Sequence, residues 1–385
     1  MLVPLANTPR DYAWGSTTLI AELEGRAPSG APEAEVWFGD HAGHPARVPD
    51  GRTLGEWLAS GEAPEGTPVQ LPYLLKILAA GSPLSIQAHP SKPQAEEGFA
   101  REEAAGIPRH GATRTYRDDN HKPEIIVALS ERFLALAGLR RLEDTRRLLD
   151  IVGPATLPLR EILDAHADDA QALAGAIAWI LSPVAEPAVG AIIAAATDAA
   201  SAEFADELAL VRHLEGHYPG DPGIVVAMLL NLVTLRRGQG VFVPAGVLHA
   251  YIEGLGVEIM AASDNVLRGG LTPKHIDVTE LAAILDPRPG PAPVLDPAPG
   301  AVRVFSGQVP DFVLTQLTAG PGSTPRSAVS GVAIALATSG AVELTAAGTG
   351  STCTLRPGSA VLITPDEGSV SLSGTGEVFL AEPGR

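Results

Sequence analysis

The sequence predicts a mainly β protein with an α-helical segment inserted into it. Early in the chain, short apolar runs such as 72–79 and 125–129 are bounded by Gly, Pro and Asn, as buried strands usually are. Over residues 141–237 the composition shifts to Ala, Leu, Glu, Asp and Arg, and the segment has helical spacing. Residues 301–385 alternate apolar and small polar side chains between glycine-containing turns, which indicates a small all-β unit.

These changes of composition divide the chain into three units. We expect a first β unit made of residues 1–140 together with 238–290, a helical unit over 141–237, and a C-terminal β unit over 300–385. The Pro- and Gly-rich stretch 286–300 is typical of a linker or a surface crossing.

Local patterns add detail to this division. Residues 142–152 have the apolar spacing of a helix, and the apolar run 225–235 predicts a further buried helix. The segment beginning at Gly240 and the segment beginning at Ser359 each combine a strand, a proline turn and a second strand. They can be aligned so that His249 corresponds to Ser369, which suggests that the C-terminal unit is related to the first β unit but lacks its histidine.

Composition and charge disfavour several classes of protein. The chain has 385 residues, of which 45% are hydrophobic, enough for two or three cores. Its 27 Lys and Arg against 45 Asp and Glu give a formal charge of -18, which disfavours nucleic acid or an anionic membrane as a partner. Cys353 is the only cysteine, so no intramolecular disulfide can form and we expect a reducing, cytoplasmic setting. The sequence indicates neither a signal peptide nor a membrane span.

Four residues are candidate ligands of a metal ion. In a strand over 85–89, Gln87 and His89 lie two residues apart and point to the same face. Glu124 stands directly before an apolar run, where a buried carboxylate needs a partner. His249 follows a Pro-Ala-Gly turn at the start of another strand. Two imidazoles, one carboxylate and one amide oxygen suit a divalent metal with a position left open for substrate.

A further segment, 256–274, supplies charges for an anionic ligand. Arg268 precedes two glycines, which allow a close approach of the backbone to a ligand. Its guanidinium suits bidentate contact with phosphate or an enediolate oxygen.

Each of these segments also has an ordinary structural explanation. The alternatives are a hydrogen-bonded surface pair for Gln87 and His89, an arginine partner for Glu124, a core histidine bonded to a backbone carbonyl for His249, and an ion pair between Asp264 and Arg268. The presence of all the segments in one chain, in this order, favours a shared site.

The chain resembles the type I mannose-6-phosphate isomerases (phosphomannose isomerases), which are metal-dependent enzymes of the cupin superfamily. The matching segments are Y-A-W-G-S at 12–16, A-E-V-W-F-G at 34–39, L-P-Y-L-L-K-I-L at 71–78, L-S-I-Q-A-H-P-S-K at 84–92, D-N-H-K-P-E at 119–124, V-P-A-G-V-L-H-A-Y at 243–251 and V-E-I-M-A-A-S-D-N-V-L-R-G-G-L-T-P-K at 257–274. The resemblance implies a cupin (jelly-roll) catalytic barrel, an inserted helical domain and a second cupin-like barrel. It also implies one zinc ion per chain, bound by Gln87, His89, Glu124 and His249.

The activity that the resemblance implies is the interconversion of mannose 6-phosphate and fructose 6-phosphate through a cis-enediol(ate) intermediate. Arg268 is expected to stabilise the enediolate or bind phosphate, and Lys122 to bind phosphate or move a proton. Glu258 and Asp264 are acid–base candidates. Further contacts to substrate are expected from Lys274, Tyr251, Glu35 and Trp14. Packing is the alternative role for Trp14.

Two other functions are compatible with the same residues. Two histidines and a carboxylate also occur in cupin metal oxygenases, and a non-catalytic sugar-phosphate-binding protein would need the same contacts. Lys122, Arg268 and Lys274 argue against an uncharged substrate. We therefore expect a monomeric isomerase that binds a phosphorylated hexose, and neither nucleic acid nor membrane.

Overall fold

The computed structural model describes residues 1–384, which form a mainly antiparallel β protein with helices. The strands are β1 (Leu2–Leu5), β2 (Glu35–Phe38), β3 (Tyr73–Ala80), β4 (Ile86–Ala88), β5 (Glu124–Ala128), β6 (Phe133–Leu139), β7 (Leu230–Leu235), β8 (Gly240–Val243), β9 (His249–Ala261), β10 (Leu267–Gly270), β11 (Val294–Leu295), β12 (Val302–Phe305), β13 (Val313–Ala319), β14 (Arg326–Ala328), β15 (Ala333–Ala346), β16 (Thr352–Leu355), β17 (Ala360–Ile363) and β18 (Ser369–Glu382). The helices are α1 (Leu19–Glu24), α2 (Leu54–Ala59), α3 (Lys92–Ala104), α4 (Leu142–Val152), α5 (Leu157–Asp164), α6 (Asp169–Ile180), α7 (Glu186–Asp198), α8 (Ala205–His217), α9 (Gly223–Met228) and α10 (Val278–Ile284), with short 3-10 turns at Pro154–Thr156, Pro183–Ala185 and Pro365–Glu367.

The strands form two antiparallel sheets. The ten-stranded sheet has the order β10-β4-β9-β5-β8-β11. Strands β3 and β6 also pair with β9, and they pair in turn with β2 and β7, respectively. The eight-stranded sheet has the order β1-β17-β15-β18-β13-β12, with β14 on β18 and β16 on β15. Because β1 pairs with β17, residues from the two ends of the described chain share one sheet.

The two faces of strand β3 have different environments. Leu75 and Ile77 belong to a core that the ten-stranded sheet shares with the eight-stranded sheet, including Phe312. Leu74 and Lys76 alternate with them and point to the opposite face. The strand is therefore buried on both sides, with a lysine on the face turned away from the second sheet.

Helices α4–α9 lie between β6 and β7 in the chain and pack against the ten-stranded sheet. Leu148 of α4 and Leu173 of α6 share a core with Leu136 of β6 and Ile252 of β9. The helix predicted over 142–152 is confirmed, because α4 spans Leu142–Val152.

The helix predicted over 225–235 is wrong beyond Met228. Helix α9 ends there, and the remaining residues form β7, which pairs with β6. Val233 and Leu235 are buried whereas Thr234 between them is exposed, which is the period of a strand. An apolar run alone does not separate the two structures.

The aligned segments in the two sheets adopt the same arrangement. Strands β8 and β17 each have four residues, and a turn follows each of them. The long strands after these turns begin at His249 and Ser369, the two positions that the sequence alignment matched.

Among residues 1–384, no single helix has both the length and the apolar character to cross a membrane. Helices α6 and α7 meet both criteria only when taken together, and they bend by 79° at the break between them.

Candidate metal centre

His89, Glu124 and His249 converge at the ends of neighbouring strands. His89 follows β4, Glu124 begins β5 and His249 begins β9, and these strands are adjacent in the ten-stranded sheet. All three side chains are buried, and they bring candidate ligand atoms within 4.8 Å of one another. The sheet thus brings three of the four candidate ligands into one compact cluster.

Backbone hydrogen bonds determine which imidazole nitrogen carries the proton. Nδ1 of His89 lies 2.7 Å from the carbonyl oxygen of Asn265, and Nδ1 of His249 lies 3.1 Å from that of Val247. Because a carbonyl oxygen only accepts, each Nδ1 is the donor, and each Nε2 is the ring atom that can bind a cation. The two Nε2 atoms lie 3.3 and 3.4 Å from the oxygens of Glu124.

This arrangement fits a divalent cation. Burial, reinforced by the ammonium group of Lys122, lowers the pKa of His89 to about 4, so its imidazole is neutral at physiological pH. Within residues 1–384 its buried Nε2 has no hydrogen-bond partner. The lone pair of a neutral imidazole Nε2 is repelled by a carboxylate that it faces, and a cation between the two groups removes this repulsion. Two imidazoles with a carboxylate are a common ligand set for zinc.

Gln87 lies beside this cluster. It is directly opposite His249 across the β4–β9 pair, and opposed residues on antiparallel strands point to the same face. Its amide nitrogen donates to the hydroxyl of Ser85 at 3.1 Å, which leaves the amide oxygen as the available ligand atom.

Strands β2, β3 and β9 align a second group of charges on the same face. Lys76 is opposite Glu258 across β3–β9, with Nζ 3.0 Å from Oε2, and it lies 3.5 Å from Oε1 of Glu35. Trp37 is opposite Lys76 on β2, and its indole donates to Oε2 of Glu35 at 2.8 Å. Glu35 and Glu258, both predicted as site residues, therefore contact one buried lysine.

The charges in this buried region do not balance. Burial alone would lower the pKa of Lys76, but the carboxylates of Glu258 and Glu35 raise it above its usual range. Burial, reinforced by Glu124, raises the pKa of Glu258. The three carboxylates face only two ammonium groups, those of Lys76 and Lys122. Since two unit charges about 4 Å apart interact by about 4 kcal/mol at an effective dielectric of about 20, the excess negative charge favours binding of a cation.

Lys122 and Tyr251 both contact the carboxylate of Glu124. Nζ of Lys122 lies 2.7 Å from Oε1, and the hydroxyl of Tyr251 lies 3.5 Å from Oε2. Burial alone would raise the pKa of Glu124, but the ammonium group of Lys122 holds it well below its usual range. Burial raises the pKa of Tyr251, so its phenol remains a hydrogen-bond donor.

Three cations without ion-pair partners lie near this site. Arg268 is opposite Gln87 across the β10–β4 pair. Burial lowers the pKa of Arg268, and the neighbouring charge of Arg117 lowers it further. Burial also lowers the pKa of Lys274, and so do Arg268 and Arg117. The described residues provide no carboxylate within ion-pair distance of these three side chains, so the group can bind an anion.

Asp264 and Trp14 lie at the periphery. Asp264 is half exposed, and its carboxylate lies 3.2 Å from Nε2 of His41, so the alternative Asp264–Arg268 ion pair does not form. Trp14 is partly buried, stacks on Tyr12 at 5.6 Å and packs against a core cluster of the ten-stranded sheet. The sequence missed His41, because a surface histidine gives no local signal of its partner.

Lys76, Arg117 and Asn265 are the other site residues that the sequence did not single out. Lys76 had a detectable signal, because a lysine inside the apolar run 71–78 must have a partner if the run is a buried strand. Asn265 and Arg117 had none, since their contacts depend on the tertiary fold.

The fold and the site together define a mainly β protein with one histidine–carboxylate metal centre beside an anion-binding group. Residues 2–142 match a family model described as phosphomannose isomerase type I, catalytic domain. The mannose-6-phosphate isomerase of Salmonella typhimurium is 37% identical over 388 residues, covering 97% of both chains. That of Homo sapiens is 31% identical over 412 residues, covering 96% of this chain and 94% of the relative.

Solved structures give the same result. This chain aligns with a zinc-bound mannose 6-phosphate isomerase over 100% of both chains, with a TM-score of 0.89 and 34% sequence identity. The Salmonella typhimurium enzyme bound to its substrate, fructose 6-phosphate, and to zinc has a TM-score of 0.88 at 34% identity, again over 100% of both chains. The chain therefore belongs to the mannose-6-phosphate isomerase family, and the resemblance found in the sequence is confirmed.

Replacing a proposed ligand should weaken zinc binding. His89→Ala and His249→Ala each remove a nitrogen that would bind the metal. Loss of a residue that only hydrogen-bonds to a metal ligand typically lowers metal affinity by roughly 10- to 100-fold, so we expect a larger loss of zinc affinity here. Gln87→Ala should weaken binding less, because a neutral amide is the poorest donor of the set. Elemental analysis after dialysis measures zinc per chain, and the exposed His213 of α8 provides the control variant His213→Ala. Stoichiometric zinc retained by His249→Ala would rule out this ligand set.

Proposed function

We propose that this chain interconverts mannose 6-phosphate and fructose 6-phosphate with one zinc ion bound by Gln87, His89, Glu124 and His249. The observation that carries the proposal is the pair of imidazole lone pairs facing the carboxylate of Glu124. Family membership supports the reaction, because relatives over nearly the whole chain are mannose-6-phosphate isomerases. The unpaired cations beside the site favour a phosphorylated substrate over the uncharged substrate of a metal oxygenase.

We also propose the domain organisation that the resemblance implies. The ten-stranded sheet would be the cupin catalytic barrel (residues 1–140 with 238–290), residues 141–237 the inserted helical domain, and residues 300–385 the cupin-like C-terminal barrel. Sheet membership supports this division with two adjustments. Strand β1 contributes to the C-terminal barrel, and β7 returns the chain to the catalytic barrel before residue 237.

Zinc, when bound, supplies positive charge that stabilises the oxyanions of the cis-enediolate. The ligand set carries only one negative charge, that of Glu124, so the ion keeps most of its Lewis acidity. The protein must supply the remaining steps, which are binding the phosphate and moving a proton between C2 and C1 of the sugar.

Glu258 and Lys76 are the residues that we assign to proton transfer. Both side chains are buried and in contact with each other. Glu258 is opposite Ile126 across the β5–β9 pair, and Ile126 lies two residues after Glu124. Glu258 and Glu124 therefore point to the same face of the sheet. The carboxylate of Glu258 can accept the proton from one sugar carbon and return it to the other, and the ammonium of Lys76 stabilises that carboxylate in its ionised form. Lys122 and Tyr251, which both contact Glu124, can donate to sugar oxygens.

The substrate phosphate is assigned to Arg268, Lys274 and Arg117. These three cations repel one another, and a bound phosphate dianion relieves that repulsion. Because they form no ion pair within the protein, binding phosphate does not break an existing one. Asp264, which contacts His41 at the exposed side, stays a second candidate for the acid–base role. Glu35 orients Lys76, and Trp14 lines the edge of the site by packing.

We further propose that the protein is a cytoplasmic monomer without nucleic-acid or membrane partners. The formal charge of -18 and the single cysteine support this assignment. Light scattering coupled to size-exclusion chromatography measures the mass in solution, against 39.7 kDa for one chain.

The protein should convert mannose 6-phosphate to fructose 6-phosphate in a metal-dependent manner. Proton NMR of the sugar mixture follows both compounds without a coupling enzyme. Removal of metal with a chelator should abolish turnover, and added zinc should restore it. Unphosphorylated mannose is the substrate control, and oxygen consumption is measured in parallel. Full activity after complete metal removal would refute the zinc assignment, whereas oxygen uptake without isomerisation would indicate an oxygenase.

Glu258→Gln should lower kcat by roughly 10²- to 10⁴-fold, the usual contribution of a general acid–base group. The amide keeps the shape of the side chain but cannot accept the proton, so KM and bound zinc should change little. Glu253 lies on the same strand β9, is exposed, and forms a 3.6 Å ion pair with Arg132 at the surface, which makes Glu253→Gln a matched control. Parent-like kcat in Glu258→Gln would remove this residue from the catalytic group.

Arg268→Ala and Arg117→Ala should each weaken binding of the phosphorylated substrate by roughly 10- to 100-fold, the range for losing a hydrogen bond between charged groups. The inhibition constant of inorganic phosphate should rise in parallel, because the same cations bind it. Arg326 of β14, exposed in the other sheet, supplies the control Arg326→Ala. Unchanged phosphate inhibition in both variants would place the phosphate elsewhere.

A further inference from the structure

The segment that carries Lys122 has no regular secondary structure. Residues 119–123 lie in neither a helix nor a strand and end at the candidate ligand Glu124. Lys122 is nevertheless buried, with Nζ 2.7 Å from Oε1 of Glu124. A loop without its own hydrogen-bond ladder needs other contacts to hold this lysine in position.

Contacts from the ten-stranded sheet anchor one side of this loop. The fully buried side chain of Asn265 donates to the carbonyl oxygen of Asn120 at 2.8 Å and accepts from the backbone N–H of Arg117 at 2.7 Å. The hydroxyl of Ser263 donates to the same carbonyl of Asn120 at 3.1 Å. All these contacts come from residues that directly follow β9.

The opposite anchor comes from the other sheet. Nε2 of His121 lies 2.8 Å from Oδ2 of Asp311, which is in the connection between β12 and β13. His121 and Asp311 are 21% and 12% exposed, so the hydrogen bond is largely screened from water. Since a carboxylate accepts, Nε2 of His121 is the donor. This contact fixes the residue immediately before Lys122.

Packing leaves the connection that carries Asp311 little freedom. It is bounded by Phe305 and Phe312, which are fully buried in the core shared by the two sheets. Gly307 lies against the ring of Phe242 on β8, where a Cβ atom would come within 2.1 Å of the ring. A Cβ on Gly384 would lie 2.0 Å from the carbonyl oxygen of Val309, so the end of the described chain covers the same connection.

We propose that Asp311 is a positioning residue of the active site, through which the eight-stranded sheet holds the loop bearing Lys122. The carboxylate binds His121, His121 fixes residues 120–122, and Lys122 is thereby kept on Glu124. The C-terminal β unit then has a direct part in catalysis although it contributes no residue to the metal cluster. This inference rests on the proposed isomerase function for its kinetic consequence, but not for its structural consequence.

Three variants of Asp311 and one control test the proposal. Asp311→Ala removes the acceptor, Asp311→Asn keeps an oxygen that can accept from Nε2, and Asp311→Glu keeps the charge but displaces it by one methylene. The control is Arg237→Ala, which breaks another contact between the sheets, the 3.1 Å ion pair of Arg237 with Glu377. Arg237 has no hydrogen bond or ion pair with residues 119–123.

The first measurement is hydrogen–deuterium exchange of the loop, which needs no activity. In Asp311→Ala, amides of residues 119–122 should exchange at least roughly tenfold faster than in the parent, while Asp311→Asn should stay near the parent. Arg237→Ala should leave this loop unchanged even if its melting temperature falls. Parent-like exchange in both Asp311→Ala and Asp311→Glu would overturn the proposal.

The second measurement is kinetic. Asp311→Ala should lose roughly 10- to 100-fold in kcat/KM with its zinc content intact, Asp311→Glu should lose less, and Asp311→Asn should retain most activity. An equal loss in Arg237→Ala would mean that any contact between the sheets has this effect, and would refute a specific role. If the parent itself does not isomerise mannose 6-phosphate, the proposed function fails, and the exchange experiment still decides whether Asp311 positions the loop.

Discussion

The arrangement of the site depends on two imidazoles whose lone pairs are directed at one buried carboxylate. Backbone carbonyls of Asn265 and Val247 accept from the Nδ1 atoms, so the orientation of both rings is fixed by the fold rather than by pH. Lys122 contacts Oε1 of Glu124, but within residues 1–384 the buried Nε2 of His89 has no hydrogen-bond partner. Breaking a buried charge pair costs about 3–5 kcal/mol, a large share of the roughly 5–15 kcal/mol that stabilises a typical domain. A cation bound among these groups adds to the charge that Lys122 already supplies to Glu124.

Strand alternation allows one protein to contain both this charged group and a large apolar core. On β3, Leu75 and Ile77 face the eight-stranded sheet, while Lys76 between them faces the site. On β9, Val257 and Ile259 face the same core, while Glu258 between them reaches Lys76. A shift of register by one residue would exchange the two faces and bury the charges against Phe312 and its neighbours. The core therefore enforces the register that places Lys76 and Glu258 in contact beside the metal-binding cluster.

The sequence predicted those parts of the site that local periodicity and motif spacing encode. Gln87 and His89 could be assigned to one face because a strand has a period of two, and helix α4 had clear spacing. The failure at residues 229–235 has the same origin, since a run of apolar residues is compatible with a buried strand or a buried helix. Partners distant in sequence were not predictable. Lys76 and Glu258 are 182 residues apart, and His121 and Asp311 are 190 apart, and no local pattern specifies either pair.

The two sheets share a strand arrangement but not a chemistry. In residues 1–384, His89, Glu124 and His249 form the one cluster of three such side chains that could hold a metal ion, and the position in β18 that corresponds to His249 is Ser369. A β unit without ligands still has two physical effects on the site. It supplies half of the core against which β3 and β9 hold their register, and it presents Asp311 to the loop before Glu124. The first effect is nonspecific, since any well-packed apolar surface would serve. The second effect depends on the single hydrogen bond between His121 and Asp311. Loss of that hydrogen bond alone would therefore separate an effect on the site from a general loss of stability.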